Sequence, residues 1–126
     1  MLYKISTLFL FMTTSNCLAQ TAQPSTINYP LQCARVLVPT LQKHYKPLAK
    51  SDKFKHCSVA CIIQVACSLF DSITVSVAKE IIDIFTPDDA DLKDLDADIH
   101  GIYYAIKYDI RSSQICENHC NYKYAR

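Results

Sequence analysis

Three polar clusters stand in otherwise apolar sequence between Asp52 and Gly101: Asp52-Lys53-His56, Lys79-Glu80-Asp83 and Asp94-Asp98. Asp52 and His56 are four residues apart, Glu80 and Asp83 three, and Asp94 and Asp98 four, so on helices each set shares a face. If those helices fold back on one another, one imidazole and up to five carboxylates converge. Helical bundles build metal sites from such groups, and they also use a carboxylate-polarised His as general base. A ligand set of His56, Glu80, Asp83 and Asp98 would suit a hard divalent ion, because oxygen donors dominate it. Against that stands a simpler use of the same residues. Lys53 and Lys79 lie beside the acids, and the leading expectation is an architectural network of ion pairs.

Cysteine offers a second chemistry. His56-Cys57-x3-Cys61 and Cys116-x2-His119-Cys120 contain enough N and S donors for tetrahedral zinc. The start of the chain argues for oxidation instead. MLYKISTLFLFMTTSNCLAQ has an early Lys4, an apolar run to Met12 and small residues near Ala19, as a secretory signal peptide over residues 1–19 does. Its loss would remove Cys17 and leave Cys33, Cys57, Cys61, Cys67, Cys116 and Cys120 for an oxidising compartment. Cys57 and Cys61 share a helix face, as do Cys116 and Cys120. Two facing antiparallel helices would join Cys57 to Cys120 and Cys61 to Cys116, leaving Cys33 for Cys67. Six cysteines allow about 15 connectivities, and this one is expected from facing helices for two bridges and by elimination for the third. Each bridge would contribute about 3–4 kcal/mol by restricting the unfolded chain.

The elements that must position these residues are helical. One glycine and no Asn-Gly or Asp-Gly pair leave little hairpin chemistry in 126 residues. Residues 20–29 are polar and aperiodic, which predicts a flexible arm before a single domain over 30–126. Leu31, Ala34, Leu37 and Val38 give a short apolar face, and Pro39 and Pro47 are expected to bracket a separate turn. Ser51 caps a helix expected to run to about Phe70 on Phe54, Cys57, Cys61, Ile62 and Val65. A third starts at Asp71 or Ser72, carries Ile73, Val77, Ile81 and Ile84, and stops before Thr86-Pro87. A fourth follows the acidic run ending at Asp91, with Leu92, Leu95, Ile99, Ile102 and Ile106. On it Ala97, Gly101 and Ala105 are spaced for close approach of a neighbour. The fold expected is an all-α bundle of four to five helices stapled by disulfides. The Val59–Ala78 run is interrupted by Gln64, Asp71 and Ser72, so no transmembrane helix is expected in the mature chain.

The three clusters in their order resemble VanZ-like and YfiM-type small bacterial envelope proteins. Asp52-Lys53-x-x-His56, Lys79-Glu80-x-x-Asp83 and Asp94-x-x-Ala97-Asp98-x-x-Gly101 match over about 50 residues. The resemblance implies a helical envelope module with its polar residues gathered internally. The cysteines, and the lack of the family's membrane-packing glycines, imply a soluble, stapled variant.

A formal charge of +1 argues against a general nucleic-acid binder. Walker, GxSxG, dinucleotide-binding and HExxH patterns are all absent from the sequence. The expectation is an exported, periplasmic or secreted, non-enzymatic protein with an unidentified protein partner. It needs no cofactor, and peripheral membrane contact stays open. The alternatives are a divalent-metal-binding module or metal-dependent hydrolase, and a secreted toxin or effector.

Overall fold

The computed structural model describes residues 31–86 and 91–125, which form five helices and, among those residues, no strand. They are α1 (Gln32–Tyr45), α2 (Asp52–Ala66), α3 (Leu69–Phe85), α4 (Leu92–Lys107) and α5 (Ser113–Tyr124). The expected signal peptide, the expected arm and most of the acidic run before Asp91 lie outside the described residues.

Helix α2 is the axis of the bundle and touches each of the other four. Its sequence explains why. Phe54, Cys57, Ala60, Cys61, Ile62 and Ile63 are all buried, so apolar residues surround more than one face. Its closest neighbour is α4, and Ala97, Gly101 and Ala105, all buried, bring the two backbones together. Fully burying a side chain such as Ile63 stabilises the fold by about 1.5–3 kcal/mol.

Local chemistry sets the helix ends. Ser51 Oγ accepts a hydrogen bond from Phe54 N–H at 3.2 Å, and Asp91 Oδ1 accepts one from Lys93 N–H at 2.8 Å. Helix α4 ends in a Schellman turn: Ile110 N–H reaches Ala105 O at 2.9 Å and Asp109 N–H reaches Ile106 O at 3.3 Å. Asp109 sits in the left-handed region (φ 48°), where glycine is usual.

All three bridges join the expected partners: Cys33–Cys67, Cys57–Cys120 and Cys61–Cys116. The last two cross one α2–α5 interface a helical turn apart. These six cysteines are therefore not zinc ligands. Three disulfides point to a non-cytoplasmic, oxidising environment. No described helix is long and apolar enough to cross a membrane.

Two helix boundaries depart from expectation. Helix α1 passes straight through Pro39. Pro39 is exposed, while Ala34, Leu41 and Tyr45 hold both halves of α1 against the core. The buried Tyr45 hydroxyl also donates to Glu117 of α5. Helix α2 stops at Ala66 instead of near Phe70. Ser68 starts α3 by accepting from Asp71 N–H at 3.1 Å while its hydroxyl donates to Asp71 Oδ2 at 2.5 Å. That reciprocal cap outcompetes continuation of α2.

A further difference concerns what α3 buries. Its inner face is polar: Asp71, Ser72, Ser76 and Glu80 are buried, and Ser72 Oγ donates to Ala60 O at 2.7 Å. Ile73, Val77, Ile81 and Ile84 are exposed. On α4, Ile102 is buried and Leu95 half-buried, whereas Leu92, Ile99 and Ile106 are exposed.

Candidate functional site

Six of the eight residues singled out in the polar clusters meet where α2, α3 and α4 converge. His56 projects from the second turn of α2 between two acids of α4. Its Nδ1 lies 3.1 Å from Asp98 Oδ1 and its Nε2 lies 3.6 Å from Asp94 Oδ2. Asp94 and Asp98, one turn apart on α4, therefore grip opposite edges of one imidazole. Burial pulls the His56 pKa down. The hydrogen bond to Asp98, with the charges of Asp98 and Asp94, outweighs burial and nearby Lys79 and leaves the pKa raised.

Helix α3 supplies Lys79, Glu80 and Asp83. Lys79 Nζ donates to Asp83 Oδ2 at 2.6 Å and stands 4.0 Å from Glu80 Oε1. Desolvation lowers the Lys79 pKa, but Asp83, Glu80 and Asp94 more than reverse it, so the ammonium is held charged. Glu80 Oε1 itself is buried and accepts no hydrogen bond. A buried carboxylate oxygen without a hydrogen bond is costly, and the Lys79 ammonium at 4.0 Å offsets that cost only in part. One ligand atom each of His56, Glu80 and Asp98 lies within 4.8 Å of the other two. Asp83 is not in that trio, because it turns to Lys79.

The other two residues stay outside. Asp52 is exposed and pairs with Lys55 at 3.8 Å, so its spacing to His56 does not bring it inward. At the first turn of α2 its side chain is favoured by the helix dipole and solvent. Lys53 is half-buried and lines a shallow polar depression with Asp91, Asp94 and Lys123. Asp94 thus separates the buried cluster from that depression.

The fold also creates a second polar pair that the sequence does not announce. His100 Nε2 and His119 Nε2, from α4 and α5, are 2.9 Å apart. Tyr104 stacks on His119 with ring centres 3.4 Å apart, and Tyr124 sits edge-on to His100. The spacing of 19 residues follows no helical repeat, so only the α4–α5 packing could reveal it.

The arrangement can hold three helices together, keep an imidazolium charged and offer mixed N/O donors to a cation. Comparisons with protein-family models, with curated proteins and with solved structures found no match to this chain.

Proposed function

We propose that this chain is an exported, non-enzymatic protein of the bacterial envelope or its surroundings, which binds a protein partner through the outer face of α3. The observation that carries this reading is the stripe Ile73, Val77, Ile81 and Ile84, between 42% and 66% exposed on one side of a single helix. Phe70 extends it by a turn and Phe85 ends it, both more than half exposed. Scattered exposed apolar residues are ordinary, but a continuous row marks an interaction surface. On α4, Ile99 and Ile106 are exposed as well.

The polar cluster serves this role as architecture. Its His56–Asp98 and His56–Asp94 contacts join α2 to α4, and Ser72 Oγ donates to Ala60 O to hold α3 on α2. Glu80 is buried beside His56 and Asp98, so the polar side of α3 faces inward and its apolar residues face outward. Three disulfides support the compartment, and the leader expected over residues 1–19 and the resemblance to VanZ-like envelope proteins agree with it.

The test is site-specific photo-cross-linking in the exporting cell, with the cross-linker at position 81 and, as control, at the exposed position 52. The expected result is a discrete adduct from 81 alone, lost in a Val77→Asp variant whose thermal stability is unchanged. An adduct only when a second cell type is present would favour the toxin or effector reading. Adducts equal from both positions would refute the apolar face as the binding surface.

A further inference from the structure

We propose that His56, Glu80 and Asp98 form a binding site for one divalent first-row metal ion with mixed nitrogen and oxygen donors, Mn²⁺ or Zn²⁺, that ties α2, α3 and α4 together. The three donors come from three helices and lie within 4.8 Å of one another. His56 Nδ1 and Asp98 Oδ1 are 3.1 Å apart. Two donors bound tetrahedrally to one metal at about 2.1 Å are about 3.4 Å apart, so this pair needs to open by only a few tenths of an ångström. Glu80 needs only a side-chain adjustment to complete a third position.

An independent observation points the same way. Glu80 Oε1 is buried, has no hydrogen-bond partner and belongs to a residue only 9% exposed. Charge balance adds to it. Glu80, Asp83, Asp94 and Asp98 outnumber the one ammonium within the cluster, Lys79, so a cation is electrostatically favoured there. Binding would displace the proton on Nδ1 into solvent and put the metal in its place. Nε2–H stays directed at Asp94, the outer carboxylate that orients a ligating imidazole. An imidazole donor favours Mn²⁺ or Zn²⁺ over Mg²⁺ or Ca²⁺.

Lys79 is the competitor for this place. Its ammonium is 4.0 Å from Glu80 Oε1, but its side chain is 48% exposed and can swing outward.

The experiment is titration calorimetry of the mature, oxidised and chelator-stripped protein with Mn²⁺, repeated in buffers of different ionisation enthalpy. One saturable site is expected, with release of up to one proton and a raised Tm. Glu80→Gln, which keeps shape and removes charge, should weaken binding at least tenfold. Lys79→Met should tighten it. Asp52→Asn removes the same charge outside the cluster and should change nothing. Absence of saturable binding would overturn the proposal, as would Asp52→Asn weakening binding as much as Glu80→Gln. If Glu80→Gln fails to fold, the Lys79→Met comparison decides: unchanged or weaker affinity there sinks the site.

Discussion

The carbonyl oxygen of Cys57 occupies the place a side chain at Gly101 would need: a Cβ there would lie 2.2 Å from it. The contact is backbone to backbone, between the two most closely packed helices. Neither partner is a flexible side chain that could turn away. Gly101→Ala must therefore push α4 from α2 and loosen the His56–Asp98 contact one turn away. The expected cost is at least about 1–3 kcal/mol, the usual range for overpacking a filled core. Urea unfolding of the oxidised protein measures it. A midpoint equal to wild type would mean the helices are not this close.

The paired bridges between α2 and α5 predict a coupled response. Cys57–Cys120 and Cys61–Cys116 close loops of 63 and 55 residues but are offset by four residues on each helix. With either intact, the other closes only a ring of about eight residues, worth about 2.5 kcal/mol in chain entropy. Removing both releases the long loop as well, about 7 kcal/mol in total by the same relation. Cys→Ala pairs in a double-mutant cycle should show the combined loss exceeding the sum of the separate losses. Simple additivity would contradict the shared-loop account.

Much of this geometry is legible in the sequence because it follows helical spacing. Four-residue steps place the cysteine pairs opposite each other, put Asp94 and Asp98 on one face towards His56, and mark Ala97, Gly101 and Ala105 as a close-packing seam. Spacing says which residues share a face, not what covers it. The apolar stripe of α3 reads as core, yet the neighbouring helices bury its polar side, Ser72, Ser76 and Glu80, with Ser72 bonded to Ala60 O. Asp52 matches the step to His56, but a side chain in the first turn of α2 points to solvent. Pro39 and the break at Cys67-Ser68 depend on tertiary contacts: the anchoring of Leu41 and Tyr45, the Cys33–Cys67 bridge and the Ser68–Asp71 cap. His100 and His119 belong to different helices and share no local signal.

Asp109 offers a stabilising change. It holds φ 48° at the turn after α4, with its side chain 78% exposed and paired only to Arg111. An exposed ion pair contributes at most about 1 kcal/mol, whereas a left-handed conformation strains residues that carry a Cβ. Asp109→Gly removes the strain and keeps both hydrogen bonds of the Schellman turn. It should raise stability by a few tenths to about 1 kcal/mol, partly offset by the unfolded-state entropy of glycine. A lower unfolding midpoint would show that the Arg111 pair outweighs the strain.

The facing histidines predict an acid-sensitive α4–α5 contact. Their ring centres are 5.1 Å apart for 2.9 Å between the nitrogens, so the two nitrogens point almost directly at each other. One proton fits between them; a second puts two cations in contact. Burial lowers both pKa values first. Lys123 lowers both further, His100 adds to the effect on His119, and Asp96 only partly offsets it on His100. The unfolded value is about 6.5, so above that pH both rings are neutral in either state and their contribution is intact. As pH falls below it, the unfolded chain takes up protons that the folded pair resists, and stability declines through the lowered folded values. Urea midpoints between pH 7.5 and 5, with chelator present, should fall more steeply for wild type than for His119→Gln. His56 titrates in the opposite sense, since its raised pKa favours the folded state in acid, but it is common to both proteins and cancels. Parallel slopes would mean that protonation leaves the α4–α5 contact undisturbed.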